Sequence, residues 1–167
     1  MKGFAIVALA VCLPLAAHAQ QNQPSAPSPK PQEPFTPGLG EIMTLQQMRH
    51  LKLWFAGQAG NWPLAGYELD ELKEGFEDVV KYFPTKDDVP TGTMATAVIE
   101  KEVAALEKAI EAKDRKQFAG AFDKLTASCN ACHEASKHAF IVIRRPPSNP
   151  YANQSFVPVR DATPHKH

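Results

Sequence analysis

Two cysteines and a histidine near the C-terminal end of the chain are the residues best suited to chemistry. They stand in the segment Cys129-Asn130-Ala131-Cys132-His133, a C-x-x-C-H motif whose spacing is typical of covalent haem attachment. On a helix, two cysteines three residues apart project from one side, so both thiols can bond the vinyl groups of one porphyrin. The adjoining imidazole can then bind the iron. The motif predicts one covalent haem c per chain, held by Cys129 and Cys132, with His133 as an iron ligand.

Three other uses of a cysteine pair remain open at this point. A thioredoxin-like redox pair needs a strand followed by a helix and usually lies early in a domain, whereas this pair follows a helical pattern late in the chain. A zinc site needs further ligands, and the sequence has no second cysteine pair. A disulfide is the ordinary expectation for two cysteines in an exported protein, and the histidine that follows them favours haem instead.

Four amphipathic helices are predicted to position the motif. Their apolar residues recur every three or four positions and are assigned to the core. The stripes are Met43, Met48, Leu51, Trp54 and Phe55; then Leu69, Leu72, Phe76, Val79 and Phe83; then Ile99, Val103, Leu106 and Ile110; and finally Phe118, Phe122, Leu125, Cys129 and Cys132. Asn61 and Asp114 are the predicted caps of the second and fourth helices, and Gln117 is spaced to complete a capping box with Asp114. The pattern favours an all-α fold, an antiparallel four-helix bundle with haem attached near the end of the fourth helix.

A C-x-x-C-H motif near the end of a bundle's fourth helix resembles the class II cytochromes c, the cytochrome c′-like family. The resemblance covers about residues 39–138 and rests on residues 129–133 and on Lys137, since the family usually has a basic residue four positions after the haem histidine. It implies that Lys137 is among the haem-binding residues. Ser136, where an aromatic residue is usual, and the tail from Ala139 depart from the pattern, so the chain resembles a divergent member with a C-terminal extension.

The resemblance also implies where a second iron ligand would come from. Family members with a sixth ligand take a methionine from early in the first helix, where Met43 lies, so His133 and Met43 are the predicted metal ligands. Met48 remains an alternative, and so does His50, although His50 is expected toward the polar face. Members with an apolar residue there have an open iron. A Met–His pair favours electron transfer at a raised potential, whereas an open iron favours NO or CO.

These residues predict an exported monohaem c-type cytochrome that acts as a one-electron carrier, with transient redox-protein partners. The alternative is a five-coordinate haem protein that binds NO or CO. No enzymatic activity is predicted, because a peroxidase-like mechanism needs a distal acid–base pair and none stands out near the first helix. Family members often dimerise through their first two helices, which leaves a homodimer open.

Several other polar residues have a simpler explanation on the surface. Arg144 and Arg145 could pair with haem propionates, but they are expected to be solvated charges. His138 is expected to point away from the haem. The acidic residues of the second helix are expected to form a solvated face, and they are Glu68, Asp70, Glu71, Glu74, Glu77 and Asp78.

The first residues are typical of a secretory signal. Lys2 precedes an apolar run, Phe4 to Ala16, that is too short to span a bilayer, and residues 17–19 form a small-x-small cleavage site. Cleavage would remove Cys12 and leave the two motif cysteines. The mature protein is therefore predicted to be soluble and periplasmic, without membrane insertion.

Composition and proline content predict the remaining organisation. The chain has 167 residues, enough for one ordinary domain, and its zero net charge without a basic block excludes nucleic-acid binding. Prolines spread through residues 20–38 predict a disordered linker, and further prolines after residue 145 prevent a fifth helix. The predicted boundaries are 1–19 for the signal peptide, 20–38 for the linker, 39–138 for the cytochrome domain and 139–167 for an extended tail.

Overall fold

The computed structural model describes residues 35–159. All regular secondary structure in this part of the chain is helical, apart from an isolated bridge between Lys86 and Val89. The predicted all-α class is confirmed for this part of the chain. The predicted signal peptide, most of the predicted linker and residues 160–167 lie outside the described residues. The elements are α1 (Leu39–Ala59), α2 (Trp62–Tyr82), α3 (Thr91–Val98), a π-helical turn (Ile99–Val103), α4 (Ala104–Glu111) and α5 (Arg115–Ala135).

Side-chain caps fix where α2 and α5 begin, at the two residues that the sequence predicted. The Asn61 side chain accepts a hydrogen bond from the Leu64 amide at 3.4 Å, and the Asp114 carboxylate accepts from the Gln117 amide at 3.0 Å. The predicted capping box does not form in its usual way. The Asp114 amide donates to the Ala109 carbonyl, so the Gln117 side chain donates to the Asp114 carboxylate instead. This turn ties the start of α5 to the end of α4.

Contacts along α1 show that it runs antiparallel to α2. The Gln46 side chain, early in α1, donates to the Leu72 carbonyl at 2.8 Å. Arg49, one turn later, donates to the Glu68 carboxylate at 3.1 Å. The partners on α2 therefore move backward along the chain as those on α1 move forward. Among residues 35–159, none of the helices is long and apolar enough to cross a membrane.

α1 also runs antiparallel to α5. His50 lies 2.8 Å from the Thr126 hydroxyl, between the ring nitrogen Nε2 and Oγ1. At the far end of α1, the Arg115 guanidinium donates to the Ala59 carbonyl at 3.2 Å. The first half of α1 therefore lies beside the last turns of α5, which carry the C-x-x-C-H motif.

The core contains most of the predicted stripes, but the buried face of α1 was predicted wrongly. In α5, Phe118, Phe122 and Leu125 have no exposed surface, and the α2 stripe is buried except for half-buried Phe83. The predicted residues of α1 are only half-buried. Its buried face instead consists of Ile42, Gln46, His50, Leu53, Ala56 and Gly57. Gln46 and His50 interrupt the apolar pattern of that face, so the sequence alone does not reveal it. Both can be buried because they have hydrogen-bond partners on neighbouring helices.

The acidic stretch of α2 is not wholly solvated, contrary to the prediction, because Glu68 is only 1% exposed. Its carboxylate pairs with Arg49 at 3.1 Å and with Lys52 at 4.0 Å. Burial raises the pKa of Glu68, while the two cations act in the opposite direction. These cations from α1 are required because a buried carboxylate without a partner is strongly destabilising.

The predicted third helix is interrupted by the π-helical turn, which no sequence pattern predicted. The turn directs Glu102 and Val103 into the interior, and Glu102 accepts a hydrogen bond from the Ser128 hydroxyl at 3.2 Å. A π turn adds one residue to the helical repeat and so shifts the buried face. It brings a carboxylate against α5 directly before the motif.

Residues 136–159 form no helix and pack on the helical part of the described chain. Phe156 is 8% exposed, and its ring centroid lies 5.7 Å from that of Phe55. The Phe156 carbonyl accepts a hydrogen bond from the Asn61 side chain at 3.3 Å. The segment is therefore part of the folded unit.

A glycine pair tests the packing of α1 on α5. A Cβ at Gly57 would overlap the Phe118 ring, whereas a Cβ at Gly66, inside α2, would meet no atom within 4 Å. We expect Gly57→Ala to lower the free energy of unfolding by about 1–3 kcal/mol. Gly66→Ala, the matched control, should raise it by about 0.5–1 kcal/mol. Urea unfolding measures both changes, and equal effects at the two positions would contradict the close approach of α1 to Phe118.

Candidate functional site

The last turns of α5 form one wall of a cavity of about 560 Å³. The opposite walls come from α1, α2 and α3, and residues 138–143 close a further side. The surface of the cavity is mostly apolar, and its apolar lining residues include Met43, Leu72, Phe76, Val79, Val98 and Ile141. The volume lies within the range of about 300–1,000 Å³ that is usual for pockets that bury a small ligand or cofactor.

Cys129, Cys132 and His133 all line this cavity, so the structure brings the three predicted motif residues together. Both cysteines are half-buried free thiols. Burial raises the pKa of Cys129 to about 12 and also raises the pKa of Cys132. Redox-active pairs have the opposite property, a lowered pKa near the start of a helix. This environment therefore argues against the thioredoxin-like alternative.

The His133 imidazole is held by one ring nitrogen and leaves the other for a ligand. Nδ1 lies 2.9 Å from the Ile141 carbonyl oxygen. Because a carbonyl can only accept, Nδ1 carries a proton, and in the neutral imidazole Nε2 then carries the lone pair. Metal-binding histidines commonly have this second hydrogen bond to a carbonyl. Sequence reasoning missed the Ile141 carbonyl, since no side-chain signal marks it.

Seven residues of α1 line the cavity, and they are Leu39, Gly40, Met43, Thr44, Gln46, Gln47 and His50. Met43 is half-buried and packs against the apolar core. The structure thus brings Met43 to the same cavity as the motif. Met48, on the same helix, is not among the lining residues, whereas His50 is.

His50 does not lie toward the polar face as predicted, because it is buried at 4% exposure. Its ring packs on Phe122, with centroids 4.3 Å apart. The Thr126 hydroxyl donates to the Phe122 carbonyl, so it must accept from His50, and the proton of His50 is therefore on Nε2. Burial lowers the pKa of His50 to about 4. His50 is thus a neutral polar group on the cavity wall.

Other predicted residues lie away from the cavity. Lys137 is exposed and follows the end of α5, where its backbone has a left-handed conformation (φ 62°) that changes the direction of the chain. Arg145 pairs with Asp123 at 2.6 Å and lies over the Trp54 ring, 4.5 Å from its centroid. Arg144 is exposed. None of these cations is among the lining residues.

Three further charged or titratable residues line the cavity without having been predicted there. Lys86 and Asp87, from the loop between α2 and α3, both line it, and their side chains pair at 3.0 Å. His138 also lines it, which contradicts the expectation that it points away, because its backbone turns back toward His133. Within residues 35–159, no three His, Cys, Asp or Glu side chains are grouped as ligands for a metal ion.

The buried His50 predicts a pH dependence of stability. The folded chain keeps it neutral down to about pH 4, whereas the unfolded chain binds its proton near pH 6.5. The stabilisation is therefore complete above pH 6.5 and is lost as the pH falls toward 4. His50→Gln should flatten this decline, by about 3 kcal/mol across the window. Urea unfolding at several pH values measures it, and identical pH profiles for variant and wild type would contradict the burial of a neutral His50.

Comparison with known proteins gives no match for this chain, whether with protein-family models, with curated proteins or with solved structures.

Proposed function

We propose that the cavity holds one covalently attached haem c and that the chain is an exported c-type cytochrome that carries single electrons. The observation that carries the proposal is the convergence of Cys129, Cys132 and His133 on one wall of an apolar cavity. A disulfide would use the two thiols alone. It would explain neither the orientation of the His133 imidazole nor the cavity.

The residues around the cavity fit a haem. The two thiols stand one helical turn apart on α5, the spacing that two thioether bonds to one porphyrin require. The Nε2 lone pair of His133 is available to iron. The mostly apolar walls suit the face of the porphyrin, and Lys86 would pair with a propionate in place of Asp87.

When bound, the haem would supply one-electron chemistry, because its iron alternates between ferrous and ferric states. The chain would do the rest. Cys129 and Cys132 hold the group, His133 orients it, and the apolar side chains of α1, α2 and α3 exclude water. Burial of this kind is one of the means by which a protein sets the potential of an iron centre.

The helices would then form the antiparallel four-helix bundle of the class II cytochromes c, with α3, the π turn and α4 together as its third helix. The antiparallel pairing of α1 with both α2 and α5 supports this arrangement. The partners would be other redox proteins, met transiently in the periplasm.

Met43 is the proposed sixth ligand, since it lines the cavity and a Met–His pair favours electron transfer. One observation favours the alternative of a five-coordinate haem protein that binds NO or CO. Met43 already packs against the apolar core, and a methionine so engaged can act as an apolar wall beside an open iron.

The cysteines test haem attachment. We expect the double variant Cys129→Ala with Cys132→Ala to lose covalent haem, because no thioether bond can then form. Ala131→Ser, at the exposed spacer between them, should keep it. Haem staining after denaturing gel electrophoresis measures attachment, and haem retained by the double variant would contradict the proposal.

Met43 separates the two functions. If it binds the iron, Met43→Ala should convert a low-spin visible spectrum to a high-spin one and lower the midpoint potential. Met48→Ala is the matched control, since Met48 is a methionine of α1 that does not line the cavity, and it should change neither. A wild type that is already high-spin, binds CO, and has a spectrum unchanged by Met43→Ala would favour the gas-binding alternative.

A further inference from the structure

The carbonyl that holds the His133 imidazole belongs to the segment after α5, here called the strap (residues 136–156). The Ile141 carbonyl accepts from His133 Nδ1 at 2.9 Å. Two backbone hydrogen bonds fix the turn between them. The His138 amide donates to the His133 carbonyl at 2.7 Å, and the Ile141 amide donates to the His138 carbonyl at 2.8 Å. The orientation of the imidazole therefore depends on where the strap lies.

Asn130, a spacer residue of the motif, fastens the strap to α5. Its Nδ2 donates to the Ile143 carbonyl at 2.9 Å, and its Oδ1 accepts from the Ile143 amide at 2.8 Å. One side chain thus satisfies both backbone groups of a strap residue, two positions beyond the carbonyl that holds His133. Asn130 is half-buried, so these bonds are partly shielded from water, which strengthens them.

Two further contacts hold the strap beyond this point. The Arg145 guanidinium donates twice to the Asp123 carboxylate, each time at 2.6 Å, and also lies over the Trp54 ring. A bidentate pair of this kind is stronger and more specific than an ordinary ion pair. Further along, Phe156 packs on Phe55. The strap is therefore attached to the helices at Ile143, Arg145 and Phe156, as well as at Ile141.

We infer that the strap is a positioning device for the iron ligand, with Asn130 as the residue that holds the Ile141 carbonyl against His133. This inference rests on the proposed haem function. A hydrogen bond from Nδ1 to a carbonyl fixes the tautomer and makes the imidazole a stronger electron donor. A stronger donor favours ferric iron, so the intact strap keeps the midpoint potential lower than it would otherwise be.

The test uses the full chain, matured with its haem, and the variant Asn130→Ala. The variant should keep its haem, exchange the Ile143 amide hydrogen faster than wild type, and show an upward shift of the midpoint potential. The matched control is Asn149→Ala. Asn149 makes the same two kinds of bond, but to Tyr151 within the strap itself, so this variant should leave the potential unchanged.

A second variant acts from outside the motif. Arg145→Gln loosens the strap without touching the haem attachment residues, and it should shift the potential in the same direction by a smaller amount. It replaces Asn130→Ala as the test if that variant fails to attach haem or to fold.

The outcomes are distinguishable. A haem-bearing Asn130→Ala protein whose Ile143 amide is released but whose potential is unchanged would overturn the inference and leave the cytochrome function standing. An Ile143 amide that exchanges its hydrogen in Asn130→Ala as slowly as in wild type would likewise overturn the inference and leave the cytochrome function standing. A wild-type chain without haem would overturn both.

Discussion

The last turns of α5 impose one constraint on the other elements, because Cys129, Cys132 and His133 must face one cavity from a single wall. At about 100° per residue, the three side chains fall within roughly 100° of the helix circumference. Other elements must then supply the remaining walls. α2 and α3 do so largely with apolar side chains, α1 adds Met43 beside the polar Gln46, Gln47 and His50, and the segment after α5 closes the last side.

The buried polar residues of these helices are each satisfied by a neighbouring element. Gln46 donates to the Leu72 carbonyl, His50 to the Thr126 hydroxyl, and Glu68 pairs with Arg49. Because a buried polar group without a partner is costly, these contacts also fix the registers of α1 against α2 and α5. The same registers bring Met43 and His50 to the cavity that the motif lines.

Local signals predicted much of this arrangement. The caps at Asn61 and Asp114, the α2 stripe and the motif at the end of α5 depend on residues close in sequence. The buried face of α1 does not, because Gln46 and His50 are buried only through partners on other helices. The π-helical turn and the Ile141 carbonyl gave no side-chain signal at all, and Asn130 was taken for a spacer because its partner, Ile143, lies outside the motif.

The central claim is that two thioether bonds join the end of α5 to one porphyrin. The most direct measurement is the intact mass, under denaturing conditions, of the wild-type chain exported by cells that attach haem to proteins. A non-covalent cofactor leaves a denatured chain, so the account predicts the mass of the mature polypeptide plus one haem. A colourless chain with the mass of the polypeptide alone would contradict it.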